Sequence, residues 1–486
     1  MKLKKLLKNI DHVDVRGSKD IEITGLSANS KTVVPGHLFL AKKGLKVDGS
    51  DFIEEAVTTG AVAVLTDMYN PFLQGVVQLI TPNVAAVEGS LASAFYDHPS
   101  HQLFVVGITG TSGKTSTSYM IRHMLDQCNE LCGLVGTVEW IVGSQVFPST
   151  MTTPDAITNH KLLREMKDQG CSCCVMEVSS HALHQKRVNQ ISFDTAVFTN
   201  LSRDHLDYHT DMADYASAKA LLFSDSPDLK VAVINADDPF SEIMTKNCKA
   251  NIFTYGIDCD ADLMAKEIDF NPSGTRFSVC YKQEEELFST SLIGKFNVYN
   301  LLAACAVGIT KGYSLKVAVN ALSTFNGVPG RLQKVPNSKG LHVFVDFAHK
   351  PDALANVLST LQQMKKGKLI CLFGCGGNRD RGKRSFMGSI AEKYCDQIIL
   401  TSDNPRLEDP MQILNDILQG IQDPSKVLIE QDRSEAIRKA IERIGIEDVL
   451  LIAGKGHESY QLFAYGKVEF DDRLVAQRHC NDLLLH

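Results

Sequence analysis

The chain has 486 residues, 44% of them hydrophobic and 22% charged, with a formal net charge of −7 at pH 7. That is the balance of a soluble globular protein too long for one ordinary core, and three domains are expected. The mild negative charge, with no long basic run, argues against a nucleic-acid partner, and no apolar stretch approaches membrane-spanning length.

The opening MKLKKLLKNI is lysine-rich but runs into DHVDVRG, without the apolar core and cleavage site of a signal peptide. Residues 1–101 are expected to form one unit, mixing short strands (HLFLA, AVAVLTD, GVVQLIT) with helical segments such as FIEEAVTTG. From Gln102 the pattern changes. LFVVGITG reads as a β-branched strand ending in glycine and SYMIRHMLDQC as an amphipathic helix, followed by buried strands in CCVMEVSS, TAVFTNLS, KVAVINADD and NIFTYG. Strands interleaved with helices imply a parallel, helix-covered sheet over 102–332. A third unit, 333–486, carries HVFVDFAH, KLICLFGCGG, DQIILTSDNPR, KVLIEQDR and DVLLIAGKGHE, with helical segments such as PDALANVLSTLQQM between them. It reads as a doubly wound sheet, and the fold class is α/β throughout.

Thirteen cysteines are an odd number and scattered. Cys371 and Cys305 stand where small core residues would, and Cys171, Cys173 and Cys174 crowd one strand entry without zinc-ligand spacing. Reduced thiols are expected.

Several strands run directly into dense polar clusters: VSSHALHQKR, TNLSRDHLDYH, NADD, DFAHKPD, GCGGNRDRGKR, SDNPR and AGKGHE. In open parallel sheets, ligands bind outside the carboxyl ends of the strands. GTSGKTS (Gly110, Thr111, Ser112, Gly113, Lys114, Thr115, Ser116) lies between a strand and a helix, the context of a phosphate-binding loop. Its glycines let backbone N–H groups converge on phosphate oxygens at a helix N-terminus. Lys114 would reach the β/γ-phosphates and the Thr115 hydroxyl would hold Mg²⁺. Only Thr111 and Ser112 separate Gly110 from Gly113-Lys114, so the loop is a shorter variant of the usual pattern. A nucleoside triphosphate site follows. Glu177, acidic within an apolar strand, needs a cation or a hydrogen-bond partner if buried. It is a second Mg²⁺ ligand or a strand-end carboxylate in a salt bridge.

In TSDNPRLEDP, Pro405 fixes its own φ and pushes Asn404 towards an extended backbone, which presents Arg406 beyond the strand end. From these residues alone, Arg406 is either a solvated surface arginine or one aimed at a ligand carboxylate.

GTSGKTS, MEVSSHAL, TNLSRDHLDYH, GKFNVYN, PGRLQ, DFAHKPD, GCGGNRDRGKR, DNPR and GKGHE occur in this order. Together they resemble the Mur ligase family, in its UDP-N-acetylmuramoyl-tripeptide synthetase branch, over essentially the whole chain. The resemblance implies three domains: a UDP-sugar domain (1–101), a central phosphate-loop ATPase (102–332) and a Rossmann-like amino-acid domain (333–486). It also implies a cytoplasmic, monomeric, ATP- and Mg²⁺-dependent amide ligase of peptidoglycan synthesis. Such an enzyme extends UDP-N-acetylmuramoyl-L-alanyl-D-glutamate at the γ-carboxylate of the glutamate, through an acyl phosphate.

Residue by residue, the resemblance makes Lys114, Glu177, His205 and Lys219 the catalytic set. His205 would be a second metal-site ligand. Lys219 would be carbamylated by CO₂, although by itself it reads as a solvated helix lysine. Asn300 would lie near adenine, Arg331 near the phosphates and Asp346 near the ribose. Ser30, Leu45, Lys46, Thr152, Thr153, Ser179, Gln185 and Arg187 would hold the UDP-muramyl peptide, while strand-end threonines and serines are also ordinary caps. Phe347 stands where tyrosine is common, Ser385 where proline is and Met151 where asparagine is. Family members with Asp403-Asn404-Pro405-Arg406 at this strand end add meso-diaminopimelate. Its distal carboxylate would pair with Arg406, and Arg379, Gly454 and Glu458 would hold its other groups. Three alternatives remain at this stage: L-lysine as the substrate, glutamate-chain extension as in folylpolyglutamate synthetase, and an ATP-sensing regulator.

Overall fold

Alternating and continuous apolar runs, broken by glycine and proline, fold into three successive α/β sheets. The structure is a computed structural model and describes residues 1–44, 47–271 and 274–482. Two compact units are resolved. The first comprises Met1–Met264, Cys280–Glu284 and Tyr299–Leu322, and the second comprises Ala265–Val279, Glu285–Val298 and Ser323–His486.

The first unit opens with a five-stranded sheet of Asp14–Arg16, Gly25–Ser27, His37–Leu40, Ala63–Thr66 and Val77–Ile80. The first strand pairs antiparallel with the last, and the others run parallel. Period-2 alternation sends Leu38, Leu40, Leu65 and Leu79 to one face, against Leu91 of the helix Val84–Phe95. Phe39 and Val64 go to the other, against Ala56 of the helix Ile53–Thr59. At the centre of the next sheet is Phe104–Thr109, flanked in parallel by Cys173–Glu177 and Thr195–Phe198. Buried on both faces, it reads as the continuous apolar run such a position requires: Val105, Val106 and Ile108 are fully buried. The helix Lys114–Gln127 follows the strand after a four-residue loop, Gly110–Gly113. Cys132–Val135, Glu139–Val142 and Gln145–Pro148 complete one side of the sheet, the last two antiparallel, where the sequence signals no strand. Val231–Asn235 and Asn251–Gly256 continue the other side.

In the second unit all five strands expected from sequence are present: His342–Asp346, Leu369–Phe373, Gln397–Leu400, Val427–Ile429 and Val449–Ala453. The last inserts between the first two, so the order is first-fifth-second-third-fourth, all parallel. Leu354, Met387 and Ile413 bring three helices onto one face, and Ile437 and Ala476 bring two onto the other. That is the doubly wound arrangement. Among the elements not expected from sequence are an edge strand, Gln333–Lys334, and a hairpin of Tyr460–Phe463 with Gly466–Glu469. No cysteine is bonded to another among the described residues. Among the described residues no helix is long and apolar enough to cross a membrane.

Candidate active site

At its two ends, Gly110 and Gly113, the phosphate loop is shaped by contacts that leave no room for a side chain. Gly110 has φ +147°, and a Cβ there would lie 1.9 Å from Thr199 Oγ1. Thr199 Oγ1 donates to the Ser112 carbonyl at 2.7 Å, and Ser112 N donates to Asn200 Oδ1 at 3.0 Å. The strand end Thr199-Asn200 therefore holds the loop from behind. Asn300 lies against it from the other side, with Oδ1 accepting from Thr117 Oγ1 at 3.2 Å. Lys114 Nζ folds over the loop, donating to the carbonyls of Gly110 and Thr111 at 2.8 and 3.0 Å.

Glu177 is fully buried, and its carboxylate carries three donors. Thr115 Oγ1 and Thr137 Oγ1 reach Oε2 at 2.9 Å each, and Thr137 N reaches Oε1 at 2.8 Å. The salt-bridge alternative for Glu177 is not what the geometry shows: its partners are hydroxyls and an amide. Thr137 was not singled out from sequence, although the GT after the apolar CGLV marks a strand end of the same kind as the others.

Lys219 corrects the reading taken from sequence alone. It is 1% exposed, not solvated, and its Nζ donates to the Gly110 carbonyl at 2.8 Å. Burial drives its pKa well below the ordinary lysine value, and the charge of Lys114 adds to the effect. Tyr215, one turn earlier on the helix Met212–Ser224, places its ring 4.6 Å from Lys219 Nζ and its hydroxyl 3.1 Å from Thr111 Oγ1. Its i, i+4 spacing from Lys219 was the available signal. His205, with φ +56°, has its ring 5.0 Å from that of His181 and 5.9 Å from that of Tyr215.

Three of the residues expected for the sugar-peptide, Thr152, Thr153 and Ser179, gather around the same Glu177. Thr153 Oγ1 donates to the Glu177 carbonyl at 2.8 Å and accepts from Ser179 N at 3.1 Å. Thr152 Oγ1 lies 3.1 Å from Thr137 Oγ1. Ser179 also caps the helix Ser180–His184 through Ala182 N, so the capping role is real and coexists with its position. Arg187 donates to Gln185 Oε1 from Nε and to the Thr153 carbonyl from Nη1, at 3.1 and 3.0 Å. Ser30 is buried at the start of a short turn, Ser30–Thr32. Leu45 and Lys46 lie outside the described residues.

In the second unit, Asp346 accepts from the amides of Leu332 and Ala348 at 2.6 and 2.7 Å, and Arg331 lies 4.9 Å over the Phe347 ring. Arg406 follows a strand end as expected, but in a left-handed backbone, φ +54°. Its Nη1 donates to the carbonyls of Gly377 and Asn404 at 2.9 and 3.4 Å. Nε and Nη2 meet no acceptor among the described residues. The Gly377 backbone must be bare here, since a Cβ would lie 1.9 Å from the Pro405 carbonyl. Asn404 Nδ2 donates to Glu458 Oε2 at 2.9 Å, which links Arg406 to Glu458 through one residue. Asp403 is buried, and burial pushes its carboxyl up against the opposing charges of Lys455 and Arg433. Gly454 N donates to the Asp346 carbonyl at 3.1 Å, and Arg379 is exposed.

The sequence also missed what supports this set. Leu462 N donates to Asn404 Oδ1 at 2.9 Å, and Arg406 N donates to the Leu462 carbonyl at 2.8 Å. Gln461 Nε2 donates to the carbonyl of Asp403 at 2.9 Å. The hairpin thus braces SDNPR along its length. Beneath it, Arg433 and Asp472, both fully buried, form a bidentate pair at 2.7 and 2.8 Å.

A phosphate loop on a parallel sheet, followed by a doubly wound domain with charged groups at its strand ends, defines a nucleotide-using α/β enzyme. Comparison with known proteins is specific. Residues 22–96 match the Mur ligase family catalytic domain, 108–308 the Mur ligase middle domain, and 330–456 the Mur ligase glutamate ligase domain. The chain belongs to the Mur ligase family, with its three-domain α/β architecture. It is 43% identical to the UDP-N-acetylmuramoyl-L-alanyl-D-glutamate--2,6-diaminopimelate ligase of Geobacillus thermodenitrificans, over 98% of this chain and 99% of that one. It is 45% identical to the same-named protein of Aquifex aeolicus, over 94% and 93%. A solved structure of a ligase with that name superposes with a TM-score of 0.74 at 33% identity, covering 99% of this chain and 98% of the other.

Proposed function

We infer that this chain is an ATP-dependent amide ligase that adds meso-diaminopimelate to the γ-carboxylate of UDP-N-acetylmuramoyl-L-alanyl-D-glutamate. We place it in the cytoplasm, as a monomer acting in peptidoglycan precursor synthesis, with domain boundaries near residues 101 and 332. The observation that carries the choice of acceptor is the chain of contacts from Arg406 through Asn404 to Glu458. A guanidinium with open donors and a carboxylate, fixed together, match the distal carboxylate and an ammonium of a diamino acid.

Amide formation requires the γ-carboxylate to be activated, here by transfer of the γ-phosphoryl group of ATP. The carboxylate oxygen attacks phosphorus and ADP leaves. The amine then attacks the acyl carbon, and phosphate leaves as the amide forms. Lys114 would bind the transferring phosphoryl group, and the loop amides would orient the phosphate chain. Thr152, Thr153, Ser179, Gln185 and Arg187 would align the muramyl peptide beside Glu177.

Thr115 and Glu177 present hard oxygen atoms at the phosphate loop and suit Mg²⁺, whose remaining positions water and phosphate oxygens would fill. Bound there, the ion would neutralise charge developing on the phosphoryl oxygens. His205, a nitrogen donor held in a ring cluster, suits it less. Among the described residues, no group of three His, Cys, Asp or Glu side chains could hold a metal. That shortage of acids gives Lys219 a purpose. Its neutral amine is the form that adds CO₂: nitrogen bonds to carbon, one proton is released to solvent, and an anionic oxygen donor results.

The test is phosphate release with ATP, Mg²⁺ and UDP-muramyl dipeptide, comparing meso-diaminopimelate, L-lysine and no amino acid. Release that depends on diaminopimelate, with tripeptide formed, is expected. Preference for lysine overturns the reading of Arg406, and release indifferent to every acceptor overturns the ligase.

A further inference from the structure

Lys455, in GKGHE, has no exposed surface. Its Nζ donates to Asn404 Oδ1 at 3.2 Å and to Glu458 Oε2 at 2.9 Å, and it lies 5.5 Å from the centre of the Tyr460 ring. Taking an ammonium out of water is costly, and an apolar side chain of the same length would fill the volume without that penalty. Both acceptors, moreover, belong to the set proposed to hold the amino acid.

The bonds impose directions. Asn404 Oδ1 receives Lys455 Nζ and Leu462 N, so its amide cannot flip, and Nδ2 must face Glu458. Glu458 Oε2 receives Lys455 and Asn404 together, and Oε1 meets no donor among the described residues. One oxygen is saturated from behind, and the other is left for a cation in front.

We propose that Lys455 is a positioning residue for the acceptor amino acid, turning Glu458 Oε1 outward and holding that side chain as a carboxylate for the ammonium of the incoming diamino acid. This rests on the acceptor reading given above. The surrounding charges agree. Burial raises the Glu458 carboxyl, but the charge and hydrogen bond of Lys455, the Asn404 amide and His457 outweigh it and leave it below its ordinary value. Also facing this cluster are Asp403 on the SDNPR segment, the Arg433–Asp472 pair beneath it and Tyr460 on the hairpin.

The experiment is steady-state kinetics of Lys455→Met against the wild type, varying meso-diaminopimelate, ATP and UDP-muramyl dipeptide in turn across pH. The KM for diaminopimelate should rise about ten- to a hundredfold, the other two KM values staying within about twofold. The acid limb of kcat/KM for diaminopimelate should move to higher pH, because Glu458 without its cation protonates more readily. Should Lys455→Met not fold, Lys455→Gln keeps a hydrogen-bond donor without the charge and should show the same acid-limb shift. A folded variant with wild-type diaminopimelate KM and acid limb, only less heat-stable, overturns the proposal. A wild-type enzyme that releases no phosphate in response to diaminopimelate overturns the acceptor reading instead, so the two failures are distinct.

Discussion

Lys114 and Lys219 donate from Nζ to one and the same carbonyl, that of Gly110, at 2.8 Å each. Burial first, and the nearby charge of Lys114 second, push the Lys219 pKa well below the ordinary lysine value. On the mechanism proposed above, Lys114 would then serve the phosphate and Lys219 would be the amine that takes up CO₂.

Lys219→Ala should lower phosphate release by about a hundredfold or more, on the scale of a lost charge-stabilising group in a dry site. Small carboxylates such as formate or acetate should restore part of it by occupying the vacated place. Intact mass measured in bicarbonate buffer should show one added CO₂ on the wild type and none on the variant. Full activity without CO₂ would remove the carbamate from the mechanism.

Glu177→Gln retains the size of the side chain but loses its charge, and one oxygen becomes an amide that cannot accept from Thr115 or Thr137. Magnesium titration of phosphate release should shift to about tenfold higher concentration or more. Thr115→Val should shift in the same direction, and an unchanged Mg²⁺ requirement in both variants would exclude the pair as metal ligands.

Arg406→Ala should cost about 2–5 kcal/mol in kcat/KM for diaminopimelate, the range for truncating one partner of a hydrogen-bonded charge pair. ATP binding, followed by fluorescence of a nucleotide analogue, should be unchanged. Unaltered diaminopimelate kinetics would take Arg406 out of the site.

Glu130 offers a pH test away from the chemistry. Burial opposes its ionisation, but hydrogen bonds from Cys173, Lys311 and Tyr313 outweigh that and hold it at about 2. A carboxyl whose folded pKa lies below its unfolded one adds stability that is present above pH 4.5 and lost as pH falls towards 2. Glu130→Gln should therefore unfold at lower urea concentration than the wild type at pH 7, and the gap should close across that acid window.

The sequence showed the fold where strands were long and apolar. Every strand expected in the second unit is there: the inner parallel strands, covered on both faces, leave continuous apolar runs, and the partly exposed edge strand Val427–Ile429 is legible from its apolar VLI alone. Asp14–Arg16 and Gln145–Pro148 were invisible because they lie on sheet edges, largely or wholly exposed and with no apolar period. The chemistry-bearing loops were legible from glycine, proline and charge at strand ends. Their supports were not. Nothing in the composition of TVEWIV places Thr137 on Glu177, and YQLF does not advertise that Leu462 will clasp Asn404 and Arg406 from 56 or more residues away. Lys219 shows the converse: its neighbours YASAKALLF contain the apolar face that buries it, yet a lysine in a helix is ordinarily read as solvated.

The hairpin Tyr460–Phe463/Gly466–Glu469 hydrogen-bonds the SDNPR segment at the main chain of Asp403 and Arg406 and at the side-chain amide of Asn404, away from the charged tip of Arg406. On the acceptor reading proposed above, exchanging only the four residues Asp403 to Arg406 to change the amino acid would leave the new tip on an old mount. A working graft has to carry the hairpin with it, as a single cassette of two segments distant in the gene.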